Sequence, residues 1–238
     1  MLYKDCESCV AQPFCKKLTG EAPVNKKQAW CNAKFRLDKA IELSEIPTEY
    51  YNANFFNFKK DKYNKTAIEA LKDVIADTVG VIDGFKNILL IGEQCGVGKT
   101  YLASCILNQY IYKICNTERF DFESPIALFV EYPTLIHSLR QFDKYEDEAT
   151  LERFEMIKNV PLLLLDDIGA GISSRFTREQ TFILINHRYS QRLPTIVTSN
   201  LSIEDLQSED VLGRRIISRL LASSILVPMG GKDRRVLG

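Results

Sequence analysis

Short apolar runs alternate along this chain with longer segments in which apolar residues recur at helical spacing. Four of the runs predict buried strands, at residues 88–91, 126–131, 160–167 and 193–200, and a fifth run predicts a final strand at residues 224–229. Strands that alternate with helices form a mostly parallel sheet covered on both faces, because each connection places its helix against the sheet. The pattern therefore predicts a three-layer α/β domain with a parallel sheet.

The segments between these runs predict the helices. Helical spacing is found at residues 30–43, 66–79, 132–143, 151–158 and 212–221. Thr177 and Gln180 have the spacing of a capping box, which would begin a helix that runs to residue 191. Ser202 and Asp205 predict the start of another short helix.

The turn after the first strand has the sequence of a phosphate-binding loop. It reads G-E-Q-C-G-V-G-K-T at residues 92–100, and a helical pattern follows. Glycine lets backbone N–H groups curl around an anionic phosphate, and the helix N-terminus adds the positive end of its dipole. The predicted nucleotide contacts are Gly96, Val97, Gly98, Lys99, Thr100 and Tyr101.

Two side chains of this loop bring specific chemistry. Lys99 can reach the β- and γ-phosphates as a point charge, and the Thr100 hydroxyl can ligate Mg²⁺.

The loop departs from the usual G-x-x-x-x-G-K-[ST] pattern, because the first glycine position holds Glu93, with Gly92 one residue earlier. Either the loop carries one extra residue, or Glu93 takes the first position. A tight strand–helix connection with a chance G-K-T sequence is the alternative to a nucleotide site.

Two adjacent acids follow four leucines at the end of the third predicted strand. Ligands of open parallel sheets bind at the carboxyl ends of the strands. Asp166 is expected to hold Mg²⁺ through its water shell, and Asp167 to orient or deprotonate the attacking water. Many ATPases have glutamate at the second position, so the shorter aspartate predicts slow hydrolysis. Thr198, Ser199 and Asn200 end the next strand with polar groups that can hydrogen-bond the attacking water or the γ-phosphate.

An aromatic-rich stretch precedes the first strand. Residues 45–58 contain five aromatic side chains, and Pro47 ends any helix there. Two interpretations remain open. The stretch is either a linker packed onto the main domain by its rings, or a collar that lines the base side of a nucleotide pocket.

Composition narrows the class of protein. The 238 residues carry no net charge, which argues against a strongly basic nucleic-acid binder but leaves a local basic strip open. Hydrophobic residues make up 45% of the chain, enough for a full domain core. Since no apolar run approaches membrane-spanning length and no secretory signal begins the sequence, we expect a soluble cytoplasmic protein with no membrane partner. The odd number of cysteines, seven, fits a reducing compartment better than a disulfide framework.

Four of the seven cysteines cluster near the start of the sequence, at Cys6, Cys9, Cys15 and Cys31. C-x-x-C spacing lets two thiolates face one ion, so we expect a Zn²⁺ site, or an iron–sulfur cluster with the same ligands. Four reduced cysteines in an arm are the alternative. The predicted division is a cysteine-rich module at residues 1–44 and an ATPase domain at 45–238. Cys105 and Cys115 are expected in the core.

The order of the motifs resembles one family, the DnaC/DnaI-type replicative helicase loaders and the related IstB transposition ATPases of the AAA+ class. The resemblance is carried by I-P at 46–47, the aromatic residues at 55–58, and the motifs at 96–103, 162–169, 194–200, 213–220 and 231–235. It covers residues 45–237 and leaves out the cysteine module. It implies a P-loop domain without a separate helical lid.

The resemblance also implies roles for the site residues. Lys99 and Thr100 match the Walker A pair, and Asp166 and Asp167 match the Walker B pair. Asn200 matches the sensor 1 position. ATP and Mg²⁺ are the implied cofactors.

Other implied residues concern assembly and DNA. Arg219 matches an arginine finger, which acts on ATP bound by a neighbouring subunit and so implies self-association. Arg235 lies where a sensor-2-like arginine would contact the nucleotide. The candidates for contact with single-stranded DNA are Arg140, Arg175 and Phe176, which offer cations for phosphate and an aromatic ring for stacking.

The implied function is that of an ATP-dependent helicase loader. Such a protein binds a replicative hexameric DNA helicase, here through the cysteine module, and helps place it on single-stranded DNA. An IstB-like transposition helper, which assembles on duplex DNA with a transposase, is the alternative within the ATPase class. An alternative from another class is a scaffold that holds ATP and barely hydrolyses it, with Asp167 as its weak point.

Overall fold

Five parallel strands form the sheet at the centre of the fold. The computed structural model describes residues 26–145, 148–171 and 174–234. The strands are β1 (Asn87–Ile91), β2 (Ala127–Glu131), β3 (Leu162–Asp166), β4 (Thr195–Ser199) and β5 (Ser224–Pro228). They lie in the order β2-β3-β4-β1-β5, and every neighbouring pair is parallel. The predicted parallel α/β sheet is therefore confirmed.

Helices precede and connect the strands. Before β1 lie α1 (Lys26–Leu43), a 3₁₀ turn (Thr48–Tyr50), α2 (Lys65–Ala70), α3 (Lys72–Ala76) and α4 (Thr78–Asp83). Between the strands lie α5 (Lys99–Ile114), α6 (Tyr132–Tyr145), α7 (Glu148–Asn159), α8 (Arg175–Ser190), α9 (Ile203–Gln207) and α10 (Arg214–Leu221). Within the described ranges no helix follows β5. None of the helices described is both long and apolar enough to cross a bilayer.

The two faces of the sheet bury separate hydrophobic clusters, because successive residues of a strand point to opposite faces. The first cluster includes Leu90 and Leu164 and joins the sheet to α1, α2, α3 and α5. The second cluster includes Leu89 and Leu165 and joins the sheet to α6, α7, α8 and α10. Helices thus cover both faces, which is the predicted three-layer architecture.

The segment predicted as one helix over residues 66–79 is instead divided into α2, α3 and α4. Leu71 separates α2 from α3 with φ −94° and ψ 4°. Asp77 separates α3 from α4, and its side chain accepts a hydrogen bond from the Gly80 N–H at 3.0 Å. The prediction of a continuous helix was wrong because a local aspartate cap competes with helix continuation, which apolar spacing alone does not show.

The start of α8 also differs from the prediction. Its N-cap is Ser174, whose hydroxyl accepts a hydrogen bond from the Thr177 N–H at 3.2 Å. The capping box predicted at Thr177 and Gln180 was therefore wrong by about one turn. The pair Ser202 and Asp205 does form a capping box, at the start of α9. Both pairs have the same spacing, so tertiary context decides which of them caps a helix.

The second half of α1 is attached to the sheet through α5. Leu37 and Ala40 are buried in the first hydrophobic cluster. The Arg36 guanidinium donates to the carbonyl oxygens of Cys115 and Thr117, each at 2.6 Å, where α5 ends. A cation at this position is stabilised by the helix dipole. The second half of α1 therefore packs against the sheet domain.

The predicted cysteine site stays a prediction. Three of its residues lie outside the described ranges, namely Cys6, Cys9 and Cys15. Cys31 lies within α1, and the division of the chain at residue 44 is likewise untested. Among the side chains that the structure describes, no group of three or more His, Cys, Asp or Glu is arranged to hold a metal ion. Cys105 and Cys115 are buried in the core, as predicted.

Candidate functional site

A glycine-rich loop joins β1 to α5 and wraps around the Lys99 side chain. The Lys99 ammonium donates to the carbonyl oxygens of Gly92 and Gln94, at 2.6 and 2.7 Å. Gly96 and Gly98 have φ values of +70° and +97°, which glycine adopts without strain. The loop leads into the N-terminus of α5, a helix of 16 residues whose dipole favours an anion at that end.

Gly92 occupies a position where no side chain fits. A Cβ there would lie 1.9 Å from the carbonyl oxygen of Met229, just after β5. Its N–H donates to the carbonyl oxygen of Ser199, at the end of β4, at 3.2 Å. Glu93, in contrast, is exposed. This packing favours a loop with one extra residue, in which Gly92 is the first glycine.

The carboxylate of Asp166 lies at the end of β3, between hydroxyl groups from two other elements. Thr198 Oγ1 donates to Asp166 Oδ1 at 2.6 Å, and Thr100 Oγ1 donates to Asp166 Oδ2 at 3.3 Å. Burial raises the pKa of Asp166, and the two hydroxyl hydrogen bonds oppose that shift. The fold therefore brings together Thr100 and Asp166, the two predicted Mg²⁺ ligands.

Asp167 is held by the polar end of β4. Its φ of +58° lies in the left-handed region, which aspartate tolerates better than most residues. Its N–H donates to Thr198 Oγ1 at 2.8 Å, and Asn200 Nδ2 donates to Asp167 Oδ1 at 2.6 Å. Asp167 was predicted to orient or deprotonate the attacking water, and Asn200 to contact that water or the γ-phosphate. The two residues are in direct contact.

The loop and the strand ends line one cavity of about 990 Å³. All the predicted contacts from Gly96 to Tyr101 line it, and so do Asp166, Asp167 and Asn200. Small-molecule sites commonly measure about 300–1,000 Å³, so the space suits a ligand of nucleotide size.

The groups in the cavity fit a nucleotide with magnesium. Mg²⁺ takes oxygen ligands, and Thr100 and Asp166 offer a hydroxyl and a carboxylate whose oxygens lie 3.3 Å apart. Lys99 and the α5 N-terminus offer positive charge to phosphate. Gly96 and Gly98 contribute no side chains of their own to the loop.

The aromatic stretch at residues 45–58 both packs on the domain and lines the cavity. Asn108 Nδ2, on α5, donates to the carbonyl oxygen of Tyr50 at 2.9 Å. The buried Phe58 ring stacks on Tyr101, with the ring centroids 6.0 Å apart. Tyr50 and Phe58 also line the cavity. The two interpretations of this stretch are therefore compatible.

Arg234 lines the same cavity and was missed by the sequence prediction. Its guanidinium donates to the carbonyl oxygen of Val97 at 3.2 Å and forms an ion pair with Asp61. It also lies over the Phe58 ring, 5.5 Å from the centroid. The predicted contact was the next residue, Arg235, which lies outside the described residues. The G-K-D-R-R sequence carries no signal that separates two adjacent arginines.

Arg219, the predicted arginine finger, lies on α10 and not among the residues that line the cavity. Its Nε donates to Asn186 Oδ1 at 2.8 Å, and its guanidinium lies over the Phe182 ring, 4.9 Å from the centroid. Both partners belong to α8. An arginine that acts on a neighbouring subunit need not line its own cavity, so this role stays a prediction.

The three candidates for DNA contact differ in their surroundings. Arg140 donates to the hydroxyls of Ser174 and Thr177, at 3.2 and 2.7 Å, and so fastens α6 to the start of α8. Phe176 packs against the second hydrophobic cluster. Arg175 has an exposed side chain and pairs with the acid four residues further along α8. Of the three, Arg175 is the one that the fold leaves most accessible.

The parallel sheet, the glycine-rich loop after β1 and the acid pair at the end of β3 place this chain in the class of P-loop nucleotide-binding proteins. The family match and the relatives that follow support the AAA+ branch of that class. The sequence model of one family matches residues 21–237. The chain belongs to that family, the IstB-like ATP binding proteins.

Two curated relatives are helicase loaders. The replicative helicase loader DnaI of Bacillus subtilis (strain 168) is 30% identical over 161 residues, which cover 63% of this chain and 48% of DnaI. The replicative helicase loader DnaC of Buchnera aphidicola is 27% identical over 208 residues, which cover 86% of this chain and 75% of that protein. The chain thus spans about half the length of the DnaI relative.

Solved structures of such loaders share the fold. The crystal structure of DnaI matches with a TM-score of 0.63 at 26% identity and covers 83% of this chain and 100% of its own. The crystal structure of the DnaC helicase loader matches with a TM-score of 0.62 at 24% identity and covers 77% and 100%.

Proposed function

We propose that this protein is an ATP-dependent helicase loader. It binds a replicative hexameric DNA helicase and helps place it on single-stranded DNA, and ATP hydrolysis releases it. The observation that supports the ATPase part is the meeting of Thr100 with Asp166, and of Asp167 with Asn200, in one cavity. The similarity to DnaI and DnaC supports the loader part.

Each residue of the cavity has a role in the proposed reaction. Lys99 and the N–H groups of the loop bind the phosphates, and Thr100 and Asp166 hold Mg²⁺. When bound, Mg²⁺ neutralises the charge that develops on the transferred phosphoryl group. Asp167 orients or deprotonates the attacking water, and the hydrogen bond from Asn200 fixes the rotation of its carboxylate.

Hydrolysis is expected to be slow. An aspartate at position 167 reaches one methylene less far than a glutamate, and one of its oxygens already accepts from Asn200. The same two facts support the rival interpretation of a scaffold that holds ATP and barely hydrolyses it. A large gain in turnover in an Asp167→Glu variant would favour the scaffold.

Self-association of ATP-bound subunits through Arg219 is the next part of the proposal. Asn186 and Phe182 support the guanidinium from α8, so its direction is fixed before a neighbour arrives. An arginine finger supplied in trans stabilises the charge of the transition state. The cysteine module would dock the helicase, with Zn²⁺ or an iron–sulfur cluster as its core.

The single-stranded DNA part is assigned to the exposed Arg175, because Arg140 is hydrogen-bonded to Ser174 and Thr177 and Phe176 packs against the second hydrophobic cluster. A chain without net charge should bind DNA modestly and in a salt-sensitive way.

An IstB-like transposition helper is the second candidate, and the family match supports it. This protein would assemble on duplex DNA and engage a transposase. The curated relatives named above are helicase loaders, and this favours the first candidate.

Mass photometry of the full chain with the replicative helicase of its host, ATP and Mg²⁺ tests the proposal. We expect a complex of defined stoichiometry that Lys99→Ala abolishes and that chelator treatment of the cysteine module weakens. ATP-dependent filaments on duplex DNA without a helicase complex would establish the transposition helper instead. If the protein forms neither the helicase complex nor the filaments, both candidates are contradicted.

A further inference from the structure

The hydroxyl of Thr198 lies between the two acids of the cavity. It donates to Asp166 Oδ1 at 2.6 Å and accepts from the Asp167 N–H at 2.8 Å. The residue is 2% exposed, is the second-last residue of β4 and lines the cavity. From the sequence we expected this hydroxyl to contact the attacking water or the γ-phosphate, whereas in the structure its proton is directed to Asp166.

The chemistry of the groups fixes the direction of both hydrogen bonds. A backbone N–H can only donate, so the Asp167 N–H uses a lone pair of Thr198 Oγ1. The hydroxyl has one proton, and this is then free for Asp166 Oδ1. With Oδ1 held in this way, Asp166 Oδ2 is the oxygen that meets the Thr100 hydroxyl, at 3.3 Å. Thr198 therefore sets the rotation of the Asp166 carboxylate.

Thr198 also holds the backbone that carries Asp167. Asp167 has a φ of +58°, a left-handed conformation that strains an L-residue. The Thr198 side chain accepts from the Asp167 N–H, and the Thr198 carbonyl accepts from the Ile168 N–H at 2.9 Å. Two consecutive N–H groups of the strained turn are thus bound by one residue. The position of Asp167 depends on β4 as much as on β3.

We propose that Thr198 is a positioning residue that couples the metal-binding acid to the water-orienting acid, and so sets the Mg²⁺ affinity of the nucleotide complex. This inference rests on the proposed ATPase function of the same cavity. Groups that hydrogen-bond a metal-ligating side chain orient it, and their loss typically lowers metal affinity about 10–100-fold.

The test compares three substitutions of Thr198 in the full chain. Thr198→Val keeps the shape and removes the hydroxyl, Thr198→Ala removes it without adding an apolar methyl beside the acid, and Thr198→Ser retains it. Thr181→Val is the matched control, because Thr181 is 1% exposed, donates to the Thr177 carbonyl at 2.7 Å and lies outside the cavity.

The first readout is the Mg²⁺ concentration that half-saturates binding of a fluorescent, non-hydrolysable ATP analogue. We expect this concentration to rise about tenfold in Thr198→Val and Thr198→Ala and to change less than about twofold in Thr198→Ser and Thr181→Val. Affinity for the analogue without Mg²⁺ should stay within about twofold in every variant, because the phosphate loop is untouched.

A Thr198→Val or Thr198→Ala protein with wild-type Mg²⁺ dependence would overturn the inference, and so would a Thr198→Ser protein as impaired as Thr198→Val. The readout involves neither turnover nor the helicase. If no loader activity is found, the Mg²⁺ titration still decides the role of Thr198. If the wild type binds no nucleotide at all, the proposed function is contradicted, and the inference about Thr198 with it.

Discussion

The two ends of strand β4 contact charged side chains in different surroundings. At the carboxyl end, Thr198 and Asn200 bind the acids Asp166 and Asp167, which line a large cavity. At the other end, the guanidinium of Arg188 is enclosed by protein, with 1% of the residue exposed. It donates to Thr195 Oγ1 and to the carbonyl oxygens of Ile157, Lys158, Val160 and Pro194.

The difference separates a structural charge from a functional one. All three guanidinium nitrogens of Arg188 donate to protein oxygens, so this charge ties α8 to the ends of α7 and β4. Burial lowers the pKa of Arg188 to about 9, which leaves it protonated at neutral pH. The acids also have protein partners, but they face a space of ligand size. We therefore expect Arg188 to govern stability and the acids to govern ligand chemistry.

The largest effect is expected for Arg188→Met. The substitution leaves buried carbonyl oxygens without donors, and should lower the free energy of unfolding by about 3–5 kcal/mol in urea titrations. The affinity of the remaining folded protein for ATP should stay within about twofold, since Arg188 lies outside the cavity. A stable Arg188→Met protein that has lost ATP binding would break the comparison.

Lys99→Ala should have the opposite profile. Loss of the ammonium should weaken binding of ATP with Mg²⁺ about 100-fold, or about 2.7 kcal/mol, in a calorimetric titration. Lys113→Ala, in the last turn of the same helix, is the matched control and should bind normally. Equal affinities of the two variants would show that the loop is not a phosphate site.

Arg234→Ala and Arg235→Ala separate the arginine found in the cavity from the one that the family resemblance indicates. Arg234 joins the loop at Val97 to the collar at Phe58 and Asp61, so its loss should weaken ATP binding about tenfold. Arg235→Ala should change the affinity less. Fluorescence anisotropy with labelled ATP measures both, and the reverse order would restore the sequence-based assignment.

The smallest effect is a gain in stability for Asp166→Asn. Because burial raises the pKa of Asp166, the charged carboxylate destabilises the fold at pH 7, and the amide should raise the free energy of unfolding by about 1 kcal/mol. The folded state binds the proton more tightly than the unfolded chain, so the cost is present above the raised pKa. It should disappear as the pH falls below the ordinary range of aspartate, where both states are protonated. A lower melting temperature at pH 7 would contradict this account.

Much of the fold could be predicted from local sequence patterns. Strands β1 to β4 consist mostly of buried residues, whereas β5 is half-exposed with Val227 buried, and all five match short apolar runs in the sequence. The G-V-G-K-T sequence identified the loop, because the positive φ of Gly96 and Gly98 favours glycine and a phosphate site needs a cation such as Lys99. The acids Asp166 and Asp167 were found because they directly follow the four buried leucines of β3. Such features require no knowledge of what lies across the sheet.

The features that the sequence did not reveal depend on distant residues. Arg234 reaches the cavity because the tail after β5 returns over the loop, with the Arg234 N–H bound to the Gly96 carbonyl at 2.9 Å. The role of Thr198 depends on the register of β4 beside β3, which places its hydroxyl between the two acids at the end of β3. Phe176 has an aromatic ring that could stack on a base, and only the fold shows that this ring packs against the second hydrophobic cluster.

Steady-state ATP hydrolysis by the wild type and by Asp167→Asn, with and without Mg²⁺, tests the central claim most directly. The account predicts slow turnover that requires Mg²⁺, falls by at least about tenfold in Asp167→Asn, and leaves ATP affinity within about threefold. Turnover that is unchanged in Asp167→Asn or independent of Mg²⁺ would contradict the claim that the carboxyl end of the sheet is an ATPase site.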